Sequence, residues 1–347
     1  MTTLPVERRR SRKATVISLV VGLVVMIAVF AFLFPQLGTY EKAIEQLQSI
    51  PTAWIVVLVA TGILNIAVYP LTAIAAIPGM RYWHAFVDRQ VGFMISNVIP
   101  GGGAVAVGTQ YSILSFYGVS AASAAAAVSA DAVWTYLMVL GTPALAVGLL
   151  VITGRSAAGY TTAAVIGLIV VIVSVIAIAA VLRSPDSARR LGTWLQRPAN
   201  RIWGVIHRQA PDVTASLVGF NKEASAMVAH RWPMLTATNV LAQLAPYFVL
   251  LAALAGLGAF PDSVNWIEVF AAYSIALLLT SFPITPGGLG TVDAVLVLLL
   301  TRFGVSSTTA IATDLIWRLV WFLPQLLVGL AALGIFTWEK RRRGRMA

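Results

Sequence analysis

The chain has 347 residues, 59% of them hydrophobic and 11% charged, with a formal net charge of +11. A soluble domain carries about 25% charged residues, so a water-soluble fold is excluded. There is no cysteine, which removes disulfides, thiolate metal sites and cysteine nucleophiles. The three histidines, His84, His207 and His230, sit in polar flanks, so no imidazole cluster is available inside a membrane.

In chain order, the first apolar run covers 14–37. It is longer than the roughly 7–15 residues of a signal-peptide core, and Phe34-Pro35-Gln36 rather than a small-x-small site follows it, so a retained helix is expected. Residues 38–52 predict a short interfacial helix. A second span covers about 53–77, kinked at Tyr69-Pro70 and stopped by Pro78-Gly79. The segment 80–90 carries Arg81, His84, Asp88 and Arg89 and is expected at an interface. An apolar stretch 91–117 is interrupted by Pro100-Gly101-Gly102-Gly103. Two spans follow, at 119–153 and 160–182. The linker 183–232 mixes Arg, Trp and Pro. Within it Val213, Leu217, Phe220, Ala224 and Met227 recur at helical spacing, behind a start at Pro211 or Asp212. That pattern predicts an amphipathic helix on the membrane surface. A span at 233–257 leads to a second broken stretch, 265–302, interrupted at Pro283 and Pro286-Gly287-Gly288. The last span is 306–336.

Basic residues fall in three patches: Arg8 to Lys13, the linker 183–231, and Lys340 to Arg345. Together they hold eighteen of the 24 Lys and Arg, which places both termini and the linker in the cytoplasm by the positive-inside rule. The same patches suit an anionic lipid surface, and the absence of a basic soluble module argues against nucleic acid. Each half must then cross the membrane an even number of times. Segments 91–99 and 104–117 reach only about 14 and 21 Å at 1.5 Å per residue, less than the ~30 Å hydrocarbon core. A re-entrant hairpin satisfies both parity and length. Segments 265–283 and 286–302 form either a second such hairpin or two full spans. The predicted fold is an all-α polytopic membrane protein with about six full transmembrane helices plus two Pro-Gly-Gly re-entrant hairpins. It forms a single integral domain over 1–347.

The halves also match in sequence. Pro100-Gly101-Gly102 is followed by Gly118-Val119-Ser120, and Pro286-Gly287-Gly288 by Gly304-Val305-Ser306, both at an offset of 186. Asp131-Ala132-Val133-Trp134 matches Asp314-Leu315-Ile316-Trp317. A first repeat over 53–153 and a second over 233–336, in opposite orientations, give the inverted-repeat pattern of secondary transporters. A duplication that serves assembly alone is the plainer alternative.

Charges inside a bilayer are functional candidates by default. Asp131, Asp293, Asp314 and Arg318 qualify; Glu268 and Arg302 lie near polar ends. Asp314 and Arg318 are four apart, acid first, and are expected to pair. Asp131 needs a partner from another helix, water or a proton, and Arg318 is one candidate. Asp293 lies early in the helix after Pro286, where the dipole favours a carboxylate. Helix starts after Pro100, Gly101, Gly102 and after Pro286, Gly287, Gly288, Gly290 present free N–H groups suited to an anion; a simple kink is the alternative. Asn97 precedes a break and is expected to line the cavity. Asn65, Gln110, Asn239, Gln243 and Gln325 are expected to hydrogen-bond between helices. No GxSxG or HExxH occurs, so no enzyme activity is expected, and no ATPase P-loop or other cofactor motif is present.

The run Ser281-Phe282-Pro283-Ile284-Thr285-Pro286-Gly287-Gly288-Leu289-Gly290-Thr291-Val292-Asp293, with Phe303-Gly304-Val305, Arg318-Leu319 and Phe322-Leu323-Pro324, resembles the lysylphosphatidylglycerol synthase transmembrane family. Asn97-Val98-Ile99-Pro100-Gly101-Gly102 resembles that family's first break. The resemblance implies a flippase-like membrane domain that moves a phospholipid, or another anionic or aminoacylated lipid, between leaflets of the plasma membrane. The soluble aminoacyl-transferase domain of larger members is not expected after Ala347. Two departures stand out: the family's glutamate after the second break is Asp293 here, and the first break lacks the family's Glu and Arg. Lysyl-lipid specificity is therefore not expected to carry over. A scaffold for a lipid-synthesis enzyme, docked through the linker, is the alternative function, with an intramembrane lipid-modifying enzyme behind it. A homodimer is left open.

Overall fold

The computed structural model describes residues 45–99, 102–154, 180–205, 212–281 and 285–343, with a few positions between 169 and 177. The expected span 14–37, most of 160–182, and the residues Pro100, Gly101 and Pro283 lie outside these. Every element among the described residues is helical.

Four helices are long and apolar enough to cross a membrane: Thr52–Ala76, Ala121–Ile152, Val228–Gly256 and Ser307–Arg343. They correspond to the expected spans at 53–77, 119–153, 233–257 and 306–336. The first divides into α1 (Thr52–Val68) and α2 (Leu71–Ala76) at Pro70, where the ring removes an N–H donor from the helix. One face of α1, including Ile55, Val56, Val59 and Ile63, is exposed; a surface that apolar is solvated by hydrocarbon.

Four shorter helices carry the breaks. α3 (Tyr82–Val98) and α4 (Gly103–Phe116) flank the first, and pack against each other. After α5 (Ala121–Ile152), α6 (Pro185–Val205) and α7 (Val213–Gly256), helices α8 (Trp266–Leu278) and α9 (Thr291–Arg302) flank the second and also pack together. At 17, 14, 13 and 12 residues, none reaches much beyond about 26 Å, short of the ~30 Å core. The last span is α10 (Ser307–Trp317), a π-turn at Arg318–Phe322, and α11 (Leu323–Arg343).

Two expectations are corrected. Residues 80–90 are not polar surface throughout: Arg81, Tyr82 and Trp83 are exposed, but α3 starts at Tyr82, and Asp88, Arg89 and Gln90 are buried within it. The charges tolerate burial because another helix supplies a partner, described below. The amphipathic helix over 212–230 and the span 233–257 are one continuous helix, α7, capped by Asp212 and running through Pro233 and Pro246. Its 44 residues reach about 66 Å, twice the hydrocarbon thickness, so its first turns extend beyond the bilayer, where α6 packs along them.

The sequence matches between the halves have matching local geometry. Gly118 and Gly304 both have positive φ. Gly118 N–H donates to the Ser115 carbonyl and Val119 N–H to Leu114; Gly304 and Val305 donate to Thr301 and Leu300. Each partner sits at the same offset of 186. Ser120 and Ser306 then cap α5 and α10, accepting from Ser123 and Thr309 N–H at 3.2 Å. The matched tryptophans dock on one helix: Trp134 Nε1 donates to Thr236 Oγ1 at 2.9 Å and Trp317 Nε1 to the Pro246 carbonyl at 2.8 Å, both on α7.

The breaks approach each other through α3, which packs along α11 and against the turn Pro286–Gly288. Val91, Met94, Ile95 and Val98 of α3 share a core cluster with Leu289, Phe322 and Leu326. The crossing is close because Gly329 faces the Gln90 carbonyl and Met94, with no room for a Cβ. Asn65 Nδ2 donates to Gln325 Oε1 at 3.0 Å beside it, the expected bond between helices. Gly329→Ala should destabilise the protein by about 1–3 kcal/mol. Gly334→Ala, on the same helix with open space around it, should be neutral or stabilising by up to ~1 kcal/mol. Thermal unfolding in detergent compares the two.

Candidate functional site

The second break is built from residues that tolerate unusual backbone. Gly287, Gly288 and Gly290 have φ of 61°, 68° and 82°, in the left-handed region that other residues enter at a cost. Gly287 also lies under the Phe322 ring, where a Cβ would collide. α9 then begins, and Asp293 turns back to accept the Gly290 N–H at 2.6 Å. Its position near the helix start is the one anticipated from the dipole.

Arg318 closes the break. Its Nε donates to Asp293 Oδ1 at 2.6 Å, Nη1 to the Gly287 carbonyl at 3.2 Å and Nη2 to the Gly288 carbonyl at 3.5 Å. The guanidinium carbon lies 4.9 Å from the Phe322 ring centroid and 5.2 Å from that of Trp317, a favourable cation–π setting. The expected pair of Asp314 with Arg318 is therefore replaced by Asp293 with Arg318. The planar guanidinium carries five N–H donors. The break offers a carboxylate and two carbonyls in one place, whereas Asp314 offers a single group. Asp314 is buried, within hydrogen-bond reach of Asp293, and its Oδ1 has no partner. The N–H groups of Gly288, Leu289 and Gly290 are also taken, by Thr285, Pro286 and Asp293.

At the first break, Gly102 is required by space: a Cβ there would meet the Ile95 and Ile99 carbonyls. Pro100 and Gly101 fall outside the described residues. Asn97 is only half-buried and bonds locally, donating to the Phe93 carbonyl at 2.8 Å and Ser96 Oγ at 3.3 Å.

Asp131 does obtain a partner from another helix, and it is Arg89 rather than Arg318. Arg89 Nη1 donates to Asp131 Oδ2 at 2.6 Å, and Asp88 Oδ2 lies 3.9 Å from Arg89 Nε. Sequence reasoning missed both Asp88 and Arg89 as site residues. The signal was present: apolar Ala85, Val87, Val91, Met94, Ile95 and Val98 continue through the charged run and are all buried.

Each half thus holds one buried arginine–aspartate pair, on different helices. In the first, the arginine precedes the break on α3 and its acid is on α5; in the second, the acid follows the break on α9 and the arginine ends α10. Side-chain exposures are 5% and 4% for the arginines and 18% and 20% for the paired aspartates, so in each pair the carboxylate is the less buried partner. Among the described residues, no group of three His, Cys, Asp or Glu converges to hold a metal ion. Two apolar cavities, of about 630 and 550 Å³, lie along α5 against α7 and residues 177–183. Neither is lined by Arg318, Asp293 or the described residues of the breaks, so these two cavities and the buried charges occupy separate places.

The two ion pairs should respond differently to replacement by hydrophobic residues. Arg89→Met or Asp131→Leu alone leaves a buried charge and should cost about 3–5 kcal/mol, while the double substitution should recover most of it. Arg318→Met with Asp293→Leu should not recover, because the Gly287 and Gly288 carbonyls and the Gly290 N–H also lose partners. Thermal unfolding of both double-mutant cycles decides this.

The family profile described as "Lysylphosphatidylglycerol synthase TM region" matches residues 15–329. A "UPF0104 membrane protein" of Methanothermobacter thermautotrophicus is 24% identical over 337 residues, which cover 92% of this chain and 95% of the relative. The profile match takes in both glycine breaks, both arginine–aspartate pairs and all four candidate spans up to the middle of the last. This chain is a multi-pass membrane protein and belongs to the lysylphosphatidylglycerol synthase transmembrane family.

Proposed function

We propose that the protein is a lipid translocator, moving a phospholipid or another anionic or aminoacylated lipid between leaflets of the plasma membrane. The observation that carries this reading is the Arg318 site. A buried guanidinium stands at an interrupted helix, held by one carboxylate and two backbone carbonyls. A phosphate satisfies the same donors with the same charge as Asp293, so the site is fitted to exchange one anion for the other. Asp293 then occupies in this conformation the position a headgroup takes in another.

Three further features support the reading. The equivalent Gly-Val-Ser turns and the ion pair in each half fit an inverted repeat with a midplane site between its halves. The apolar cavities along α5 match acyl chains in volume and lining. The basic linker and tails suit a cytoplasmic leaflet, with both termini on that side. The reading needs no bond making or breaking by the protein, so we take it to be a transporter and not an enzyme.

The test is purified protein in proteoliposomes that carry fluorescent phosphatidylglycerol or phosphatidylethanolamine, with dithionite quenching of the outer leaflet. Wild type should equilibrate at least one of these lipids. Arg318→Ala should slow it by about tenfold or more, equivalent to about 1.4 kcal/mol. Equal rates for wild type, variant and empty liposomes would end the proposal.

A further inference from the structure

Each ion pair stands beside a second carboxylate that shares its single guanidinium. In the second half Arg318 holds Asp293, and Asp314 lies within hydrogen-bond reach of Asp293 with Oδ1 buried and unpartnered. In the first half Arg89 holds Asp131, and Asp88 has its Oδ1 buried and unpartnered. Asp88 and Asp314 are 2% and 7% exposed. Each cluster therefore has two carboxylates for one guanidinium.

Among the described residues, Arg318 and Arg89 are the cations that act on these carboxylates. Asp314 faces Asp293 from α9 and Arg318 from its own chain segment; α7, packed on the same helix, has no Asp, Glu, Lys, Arg or His over 232–256. Asp88 faces Arg89 on α3, Asp131 from α5 and Tyr69 at the α1–α2 kink. An ionised carboxylate buried without a partner is disfavoured by several kcal/mol, and two carboxyl groups in contact are satisfied by sharing one proton.

We propose that Asp314 and Asp88 are exchangeable proton sites, one in each half, and that the Asp293–Asp314 pair shares a single proton. Binding converts one carboxylate to a carboxylic acid, with no other bond changed. The proton gives Asp314 a donor toward Asp293, which leaves Asp293 free to accept from Arg318 and from the Gly290 N–H at once. Exchange of Asp293 for an anionic headgroup on Arg318 adds one negative charge to the cluster, which the proton on Asp314 keeps from rising further. This use of the site in coupling rests on the translocator reading; the proton sites themselves do not.

The test uses the full chain in lipid nanodiscs and requires no transport. Infrared difference spectra across a pH titration should show the C=O band of protonated carboxyl groups. Asp314→Asn and Asp88→Asn should each remove a distinct part of it, and the double variant should remove both parts, leaving only the contribution of the other carboxyl groups. Should Asp314→Asn fail to fold, Asp314→Glu is expected to retain the band at a shifted frequency. An unchanged band in the Asn variants, or in Asp314→Glu, overturns the assignment. Fluorescence of Trp317 and Trp321, which neighbour Arg318, provides the second arm. Its pH-dependent step should be identical in sodium and choline chloride. A sodium-dependent step at fixed pH would assign the clusters to a metal cation and overturn the proton sites.

Discussion

Hydrocarbon forms no hydrogen bonds, so a helix interrupted inside a membrane leaves backbone carbonyls and N–H groups that only the protein can satisfy. The break at Pro286–Gly288 solves this with one side chain. Arg318 takes two carbonyls from the break, and Asp293 balances its charge while accepting the Gly290 N–H. The glycines supply the conformations, the π-turn ends α10 at the arginine, and Phe322 closes over Gly287. Remove the guanidinium and the carboxylate, two carbonyls and the turn all lose their partner together.

The same economy extends to the contact between halves. α3 carries a buried Arg89 for Asp131 and packs its apolar face onto α11 and the second break. The helix that contains one ion pair thus forms a wall of the other. Close approach at Gly329 keeps these layers in contact, and the Asn65–Gln325 bond fixes their register.

Much of this was legible beforehand because hydrophobic length and glycine placement are local signals. Four of the expected spans, the Tyr69-Pro70 kink, the Asp212 cap and the position of Asp293 all follow from short windows of sequence. Ion pairing across helices does not. Asp314 and Arg318 look like partners by spacing, yet the π-turn and three acceptors at the break draw the arginine to Asp293. Arg89 looked like a surface charge because polarity was counted over 80–90 without the apolar spacing that runs through it. The boundary drawn at Pro233 failed for a related reason: a proline ends an isolated helix, but within a packed membrane helix neighbouring groups absorb the lost hydrogen bond.

α7 connects these observations. It is one helix from the surface segment that packs with α6 to the interior, where Trp134 and Trp317 each donate to it. Those tryptophans occupy matching positions in the two halves, so α7 is an axle with one spoke to each. A change in how α5 and α10 sit on α7 must carry these two hydrogen bonds with it or break one. The helix continues out of the bilayer beside α6, so the surface segment and both docking points belong to one element, whose hydrogen-bond ladder is interrupted at Pro233 and Pro246.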